Sequence, residues 1–260
     1  MIIVPVSGGW DSALVWLYTT GILRDGYVNW SDTNAVAVFT DTHKEHPRTY
    51  VMLDTLDAMT GRPIIRLRGP TWEDALEPHH WFLPWWRARW CTPTFKIKPF
   101  QKWVGDSVVT SRIGLRADEQ QRVGYLGDRG NNITPQYILR DMGITFDDRE
   151  RLANEVGLPP PGPWSCGCCP LRPHIMWVRT VEECPHIAEW SAWVEEEKKR
   201  RGGSDYGWCR GFKIRELIND PQLRTRIRTN WWARNQSEDQ MVLWDDLDEE
   251  ERPCLMCQVK

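Results

Sequence analysis

Several absences narrow the class of this 260-residue chain before any motif is read. No uninterrupted apolar run approaches the roughly 18 residues of a membrane span, so no membrane partner is expected. The opening Met1-Ile2-Ile3-Val4-Pro5-Val6 has no basic region ahead of an apolar stretch, which speaks against a secretory leader and for a cytoplasmic protein. There is no low-complexity tract. There is also no Gly-x-x-x-x-Gly-Lys-Ser/Thr string, which excludes the Walker type of phosphate loop. A dominant charge is missing too: 33 Lys and Arg stand against 36 Asp and Glu, a net charge of −3, so global charge does not call for a nucleic-acid partner.

What is present is a globular composition. Hydrophobic residues make up 41% and charged residues 27%, enough for a chain of this length to bury a core without crosslinks. The eight cysteines are then better read as metal ligands or reactive groups than as staples, because the cell interior keeps thiols reduced. Charge is uneven along the chain. Lys198 to Arg234 holds eleven basic and three acidic residues, and Asn235 to Glu251 holds eight acidic and no basic ones. Two solvated faces that neutralise one another would account for this. A basic patch for a phosphate backbone, shielded by an acidic tail, would also account for it.

Ile2 to Val6 is a short β-branched run with the composition of a buried strand. Ser7-Gly8-Gly9-Trp10-Asp11-Ser12 follows, and then Ala13, Leu14, Leu17 and Tyr18 at helical spacing. The order is strand, glycine-rich turn, helix. Glycines let a backbone approach an anion closely, and a helix N-terminus offers unbonded N–H groups at its positive end. Ser7 and Ser12 could add hydroxyl donors. A plain βα turn can also contain Gly-Gly; the whole Ser-Gly-Gly-x-Asp-Ser string after a strand is far more specific. Ala35 to Phe39 reads as the next buried strand, leading into Thr40-Asp41-Thr42-His43-Lys44-Glu45-His46-Pro47-Arg48-Thr49-Tyr50. Asp41 falls at a strand's C-terminal end, where open α/β sheets bind ligands, and a helix is expected from Arg48 onward.

Ser7–Ser12 resembles the signature of the PP-loop ATP pyrophosphatases, the adenine nucleotide α-hydrolase-like superfamily. Asp41, Thr42, Glu45, Pro47 and Thr49 resemble the D-T-G-x-E-x-P-E-T segment of phosphoadenylyl-sulfate (PAPS) reductase-like proteins, with His43 in place of the usual glycine. Arg89 to Pro99, with Cys91 and Lys96, is similar to the R-x-C-T-x-x-x-K-x-x-P block of that family. Gly114 to Arg122 is similar to its G-x-R-x-D/E-x-S-x-x-R block, with glutamine where serine is commoner. Ile133 to Leu139 resembles a short helix near the substrate pocket, and Trp164 to Pro170 matches a G-C-x-x-C-P element.

The resemblance implies a doubly wound, mainly parallel α/β domain over residues 1–157, followed by a Cys- and Trp-rich, mostly helical region over residues 158–260. The implied cofactors are ATP or PAPS with Mg2+. Nucleotide contacts fall to Ser7, Gly8, Gly9, Asp11, Ser12, Thr40 and Asp41; catalytic roles fall to Asp11, Lys96, Arg116 and Arg122. The forked guanidinium suits phosphate, which makes Arg116 and Arg122 the expected phosphate clamps.

Cys166 and Cys169, with Cys168 between them, form a C-x-x-C pair, and Cys254 and Cys257 form another. Such spacing lets two thiolates grip one soft metal. Cys91, Cys166 and Cys169 resemble the ligand set of cluster-bearing family members and imply a 4Fe-4S cluster. Cys166, Cys169, Cys254 and Cys257 could instead close a Zn2+ site, or the second pair could be a redox tail. Cys184 and Cys209 have no partner at metal spacing and are expected to be buried thiols.

Ile187, Trp190, Trp193 and Val194 mark one face of a helix from about Pro185 to Arg201, ended by Gly202-Gly203. The 17 tryptophans suit core packing or partner-facing surface more than base stacking, although Trp231-Trp232 among arginines is compatible with the latter.

Three functions remain open. One is an ATP-dependent sulfurtransferase that adenylates an acceptor, with a cysteine desulfurase or another sulfur donor and a nucleic acid as the candidate acceptor. The second is a PAPS or adenylyl-sulfate reductase, although the usual Glu-Cys-Gly-Leu/Ile-His tail is missing. The third is a catalytically silent nucleotide-binding subunit. A homo-oligomer is compatible with each.

Overall fold

A computed structural model describes residues 1–24, 26–85, 87–122, 132–164 and 166–234. In chain order the elements are β1 (Ile2–Pro5), α1 (Trp10–Thr20), β2 (Val36–Asp41), α2 (Pro47–Thr60), β3 (Ile65–Arg68), α3 (Trp72–Leu76), α4 (Lys98–Val104), β4 (Val109–Arg112), β5 (Ile133–Gln136), α5 (Ile138–Asp141), α6 (Phe146–Glu155), α7 (His174–Glu183), α8 (Pro185–Arg200), α9 (Ile214–Asn219) and α10 (Pro221–Arg234). A 3-10 turn at Glu77–His79 and a π-turn at Pro93–Ile97 lie between α3 and α4. Among the described residues no helix is long and apolar enough to cross a membrane.

Two compact units emerge. The first comprises Met1–Gly69 and the described residues of Phe95–Ser165; the second comprises Pro70–Thr94 and the described residues from Cys166 onward.

The first unit is the expected doubly wound α/β layer structure. Its five strands run β3-β2-β1-β4-β5, every neighbouring pair parallel. Strand residues alternate between two cores, as the period of two requires. Val4, Val6, Ala37 and Phe39 pack with α1, α2 and α6 residues such as Leu14, Leu53 and Ala153. Ile3 and Val38 point the other way, onto Phe100 and Val104 of α4. Burial on both faces explains why β1 and β2 read as continuous apolar runs. Ile133 to Gln136, part of the stretch read as a short helix, is instead the edge strand β5; the helix begins at Ile138. Pro135 misleads there, because a proline is tolerated on an edge strand.

Arg112 ties the layers of this unit together. It is buried at the end of β4 and donates to Thr19 Oγ1 (3.1 Å), the Trp30 carbonyl (2.6 Å) and Gln136 Oε1 (2.9 Å). Burial lowers its pKa.

The second unit is helical, with a tryptophan core. Trp72, Trp177 and Trp208 are fully buried. Trp72 meets Trp90, Trp190 and Trp208 edge-on, at centroid distances of 5.8, 5.8 and 5.7 Å. The core role expected of tryptophan holds for these rings, while Trp232 on α10 is 67% exposed. The α8 helix covers the range read from its spacing.

Candidate functional site in the first unit

The site begins at the switch point of the sheet. From β1 the chain passes to β2 on one side, and β4 lies on the other. Loops at the C-terminal ends of such strands diverge and leave a crevice for ligand.

The loop after β1 has the conformation its glycines predict. Gly8 has φ +80°, and a Cβ there would stand 2.6 Å from Thr49 Cγ2, so only glycine fits. Gly9 is the N-cap of α1 and no side chain caps the helix, so the first-turn amides are left without an intrahelical partner. The serines do not stand ready as donors. Ser12 Oγ accepts from the Ser7 amide (3.0 Å) and donates to the Gly9 carbonyl (3.0 Å), with the Ser7 hydroxyl 3.2 Å away. They brace the loop.

Asp11 lies in the first turn of α1. Its Oδ2 accepts from Arg116 Nη1 at 2.9 Å, and its Oδ1 lies 3.8 Å from Arg149 Nε. Burial pushes the carboxyl up from its usual value, and Arg116 and Arg149 oppose that shift. Gly114 makes the first pairing possible. A Cβ there would sit 2.9 Å from the backbone of Asp11 and Ser12, so the chain after β4 runs directly against the start of α1.

Arg116 is also claimed by Asp118 (Nε–Oδ1, 3.0 Å) and Glu119 (Nη2–Oε1, 3.6 Å). Arg122 pairs with Glu119. The two expected phosphate clamps are thus both engaged with carboxylates. Arg140 donates to the Glu119 carbonyl (2.7 Å) and the Arg122 carbonyl (3.0 Å), fixing the turn that carries them.

The β2 end is also organised. Asp41 is buried and accepts from the His43 amide (2.8 Å) and the Tyr50 hydroxyl (3.0 Å), with Arg68 Nε at 3.5 Å. Burial and the neighbouring Asp41 charge push the Tyr50 phenol up. Asp41 therefore shapes this loop. Thr40 precedes it, half-buried, in register with Leu67. His43 adopts φ +64°, the left-handed region that favours glycine. His46 caps α2, its Nδ1 accepting from the Arg48 amide (3.1 Å), and its ring meets Trp164 edge-on at 4.9 Å. Lys96 is half-buried in the π-turn Pro93–Ile97.

Arg149 was not legible as a site residue. It lies on α6, whose start is fixed by a Thr145–Asp148 capping box. Its guanidinium carbon stands 4.0 Å from the Phe146 ring centre and 5.5 Å from that of Trp10. The signals available were the Thr-x-x-Asp box and the aromatic three residues before the arginine; neither names a ligand.

The remaining candidates lie in the second unit. Cys166 and Cys168 have sulfurs 3.7 Å apart, the Cys169 amide bonds to the Cys166 carbonyl (3.2 Å), and Cys168 is buried. Cys91 is half-buried. Among the described residues no group of three or more His, Cys, Asp or Glu side chains could hold a metal ion. The Cys91, Cys166 and Cys169 set expected for a 4Fe-4S cluster is therefore not assembled in this arrangement. Cys254 and Cys257, the rest of the alternative Zn2+ set, lie outside the described residues. A residue the sequence did not flag, Arg172, is buried 3.8 Å from the Trp177 ring centre. Burial lowers its pKa to about 10, while the thiols of Cys169, Cys168, Cys166 and Cys209 pull it back up. Cys184 is buried as expected; Cys209 keeps some exposed surface.

The family model described as phosphoadenosine phosphosulfate reductase domain matches residues 1–124, the stretch holding the β1 loop, Asp11, Arg116 and Arg122. That match covers a little under half of the chain. No curated protein matches it. Among solved structures, a PAPS reductase from Candida auris in its phosphate complex is similar at 14% identity and a TM-score of 0.45, covering 62% of this chain and 74% of that one. The U34-tRNA thiolase NcsA from Methanococcus maripaludis, with its 4Fe-4S cluster, is similar at 14% identity and a TM-score of 0.41, covering 87% of this chain and 72% of that one. The PAPS reductase domain model ends two residues beyond Arg122, so Arg149 lies outside the matched stretch.

Proposed function

We propose that this chain is an ATP-dependent sulfurtransferase. The observation that carries the reading is Asp11 between the guanidiniums of Arg116 and Arg149, at the uncapped start of α1. Uncapped amides and a positive helix end suit a polyphosphate. A divalent cation arriving with it would find Asp11 Oδ1, a buried oxygen with no hydrogen-bond partner. Mg2+ there would draw charge from the phosphates.

In this reading an acceptor oxygen attacks the α-phosphorus of ATP, the bond to the β-phosphate oxygen breaks, and pyrophosphate leaves. The terminal sulfur of a persulfide then attacks the acceptor carbon, and AMP departs with the former acceptor oxygen. A second thiol resolves the disulfide that remains. Cys166 and Cys168, with sulfurs 3.7 Å apart, supply a thiol pair for the last step. The guanidiniums beside Asp11 steady the charge that develops on the phosphates.

The family domain supports a second reading, a PAPS or adenylyl-sulfate reductase. One assay separates the two. Pyrophosphate release from ATP in the presence of an acceptor supports the transferase. Sulfite release from PAPS without ATP replaces it with the reductase.

A further inference from the structure

Arg116 and Arg122, the guanidiniums that the motifs single out, are held by carboxylates. Arg149 is held differently. Its ion pair with Asp11 is long, at 3.8 Å, and involves no hydrogen bond: Arg149 Nε and Asp11 Oδ1 are both buried without a hydrogen-bond partner. A buried charged donor in that condition gives up most of the stabilisation a directed bond would bring.

The rest of the side chain is well placed. The guanidinium lies over Phe146 and Trp10, with only 15% of the side chain exposed. Cation–π contact engages its face and leaves its edge donors available. Trp10 is itself pinned, its Nε1 donating to the Pro159 carbonyl at 2.9 Å. Because Trp10 directly follows Gly9, this aromatic shelf is continuous with the loop.

We propose that Arg149 is a specificity-determining residue for the anionic tail of the nucleotide: without nucleotide it rests against Asp11, and with nucleotide its fork bonds the anionic groups beyond the first phosphate, the further phosphates of ATP or the sulfate of PAPS. This rests on the nucleotide site proposed above and adds to it a residue outside the family-matched stretch. The guanidinium gains directed bonds to a strong acceptor. Asp11 is released toward the cation that accompanies the nucleotide.

The test is equilibrium binding, by titration calorimetry, of ATP, PAPS and AMP to the wild-type chain and to Arg149→Met and Arg149→Lys. The expected result is a loss of about ten-fold or more in affinity for ATP or PAPS, whichever the wild type binds, in Arg149→Met. AMP affinity should change less than about two-fold, and Arg149→Lys should recover part of the loss. A merely structural arginine would weaken ATP and AMP together. That outcome, or unchanged ATP and PAPS affinity in Arg149→Met, overturns the assignment while the nucleotide site stands. If Arg149→Met does not fold, Arg149→Lys decides: affinities equal to wild type for all three ligands overturn the proposal, and a selective loss for ATP or PAPS supports it. A wild-type chain that binds neither ATP nor PAPS overturns both this inference and the site on which it rests.

Discussion

Asp11 and Arg116, 105 residues apart in sequence, meet at 2.9 Å because β1 and β4 are parallel neighbours. Each strand ends at the same edge of the sheet, one followed by Ser-Gly-Gly-x-Asp-Ser and the other by Gly-Leu-Arg. The pair brings two motifs, each weak alone, into one electrostatic unit. It also keeps a carboxylate close to the uncapped amides at the start of α1, so in the proposed site an entering nucleotide would have to rearrange the guanidiniums around Asp11.

Asp11→Asn therefore tests the site directly. Loss of the carboxylate should lower nucleotide turnover by about 100-fold or more, the scale seen when a positioned electrostatic group is removed. Stability has a definite pH sign. Burial raises the folded-state pKa above the ordinary 3.8, so the folded chain holds this proton to higher pH than the unfolded chain does. Asp11's contribution is favourable below 3.8 and is lost as pH rises through the shifted value. Thermal unfolding followed across the acid range should show that decline in the wild type and a smaller one in Asp11→Asn. Identical curves would remove the carboxylate from this role.

Gly114→Ala probes the contact that delivers Arg116. The added methyl would meet the backbone of Asp11 and Ser12 at 2.9 Å, and neither can turn aside as a side chain could. A cost of about 1–3 kcal/mol is expected from overpacking, together with a clear loss of nucleotide affinity as Arg116 is pushed from Asp11. Chemical denaturation and nucleotide titration of one preparation measure both. Unaltered values on both would mean that the two loops do not touch.

Much of this site was legible because its determinants are local. Gly8 at φ +80° and the uncapped helix start follow from six consecutive residues, and the strand–loop–helix order follows from apolar period alone. The occupation of Arg116 and Arg122 was not legible. A motif names a guanidinium but not its partners, and Asp118 and Glu119 inside the same block claim both. Arg149 was hidden for a related reason: its neighbours Trp10 and Asp11 are reached by packing α6 on α1, a contact no local pattern encodes. Arg172 was hidden by context, since one arginine three residues after a cysteine pair reads as surface until its burial is known.

His43→Gly asks what the departure from the family segment costs. A non-glycine residue in the left-handed region carries about 1–2 kcal/mol of strain, and His43 sits there with φ +64°. Its ring gains only a long contact with the Gly69 carbonyl at 3.4 Å. Glycine would relieve the strain and give back part of the gain as unfolded-chain entropy. The expected net is about 0.5–1 kcal/mol of added stability, read as a higher denaturation midpoint. A lower midpoint would mean that the ring contact outweighs the backbone strain.

The cysteines of the second unit should divide by reactivity. Burial pushes the Cys184 thiol up and the Cys209 thiol well up from the ordinary value. Desolvation disfavours the thiolate, so at a given pH less of the nucleophilic form is present than in an unfolded chain. Cys209 also donates to the Phe212 carbonyl at 3.7 Å, a bond the thiolate cannot make. Both should resist iodoacetamide at pH near 8 for as long as the fold is intact and react fully in denaturant, as peptide mass spectrometry would show. Raising the pH should speed their labelling later than that of a solvated thiol, because the folded pKa values lie higher. Rapid labelling of Cys184 in the native protein would contradict the buried position found for it on the core side of the α7–α8 junction.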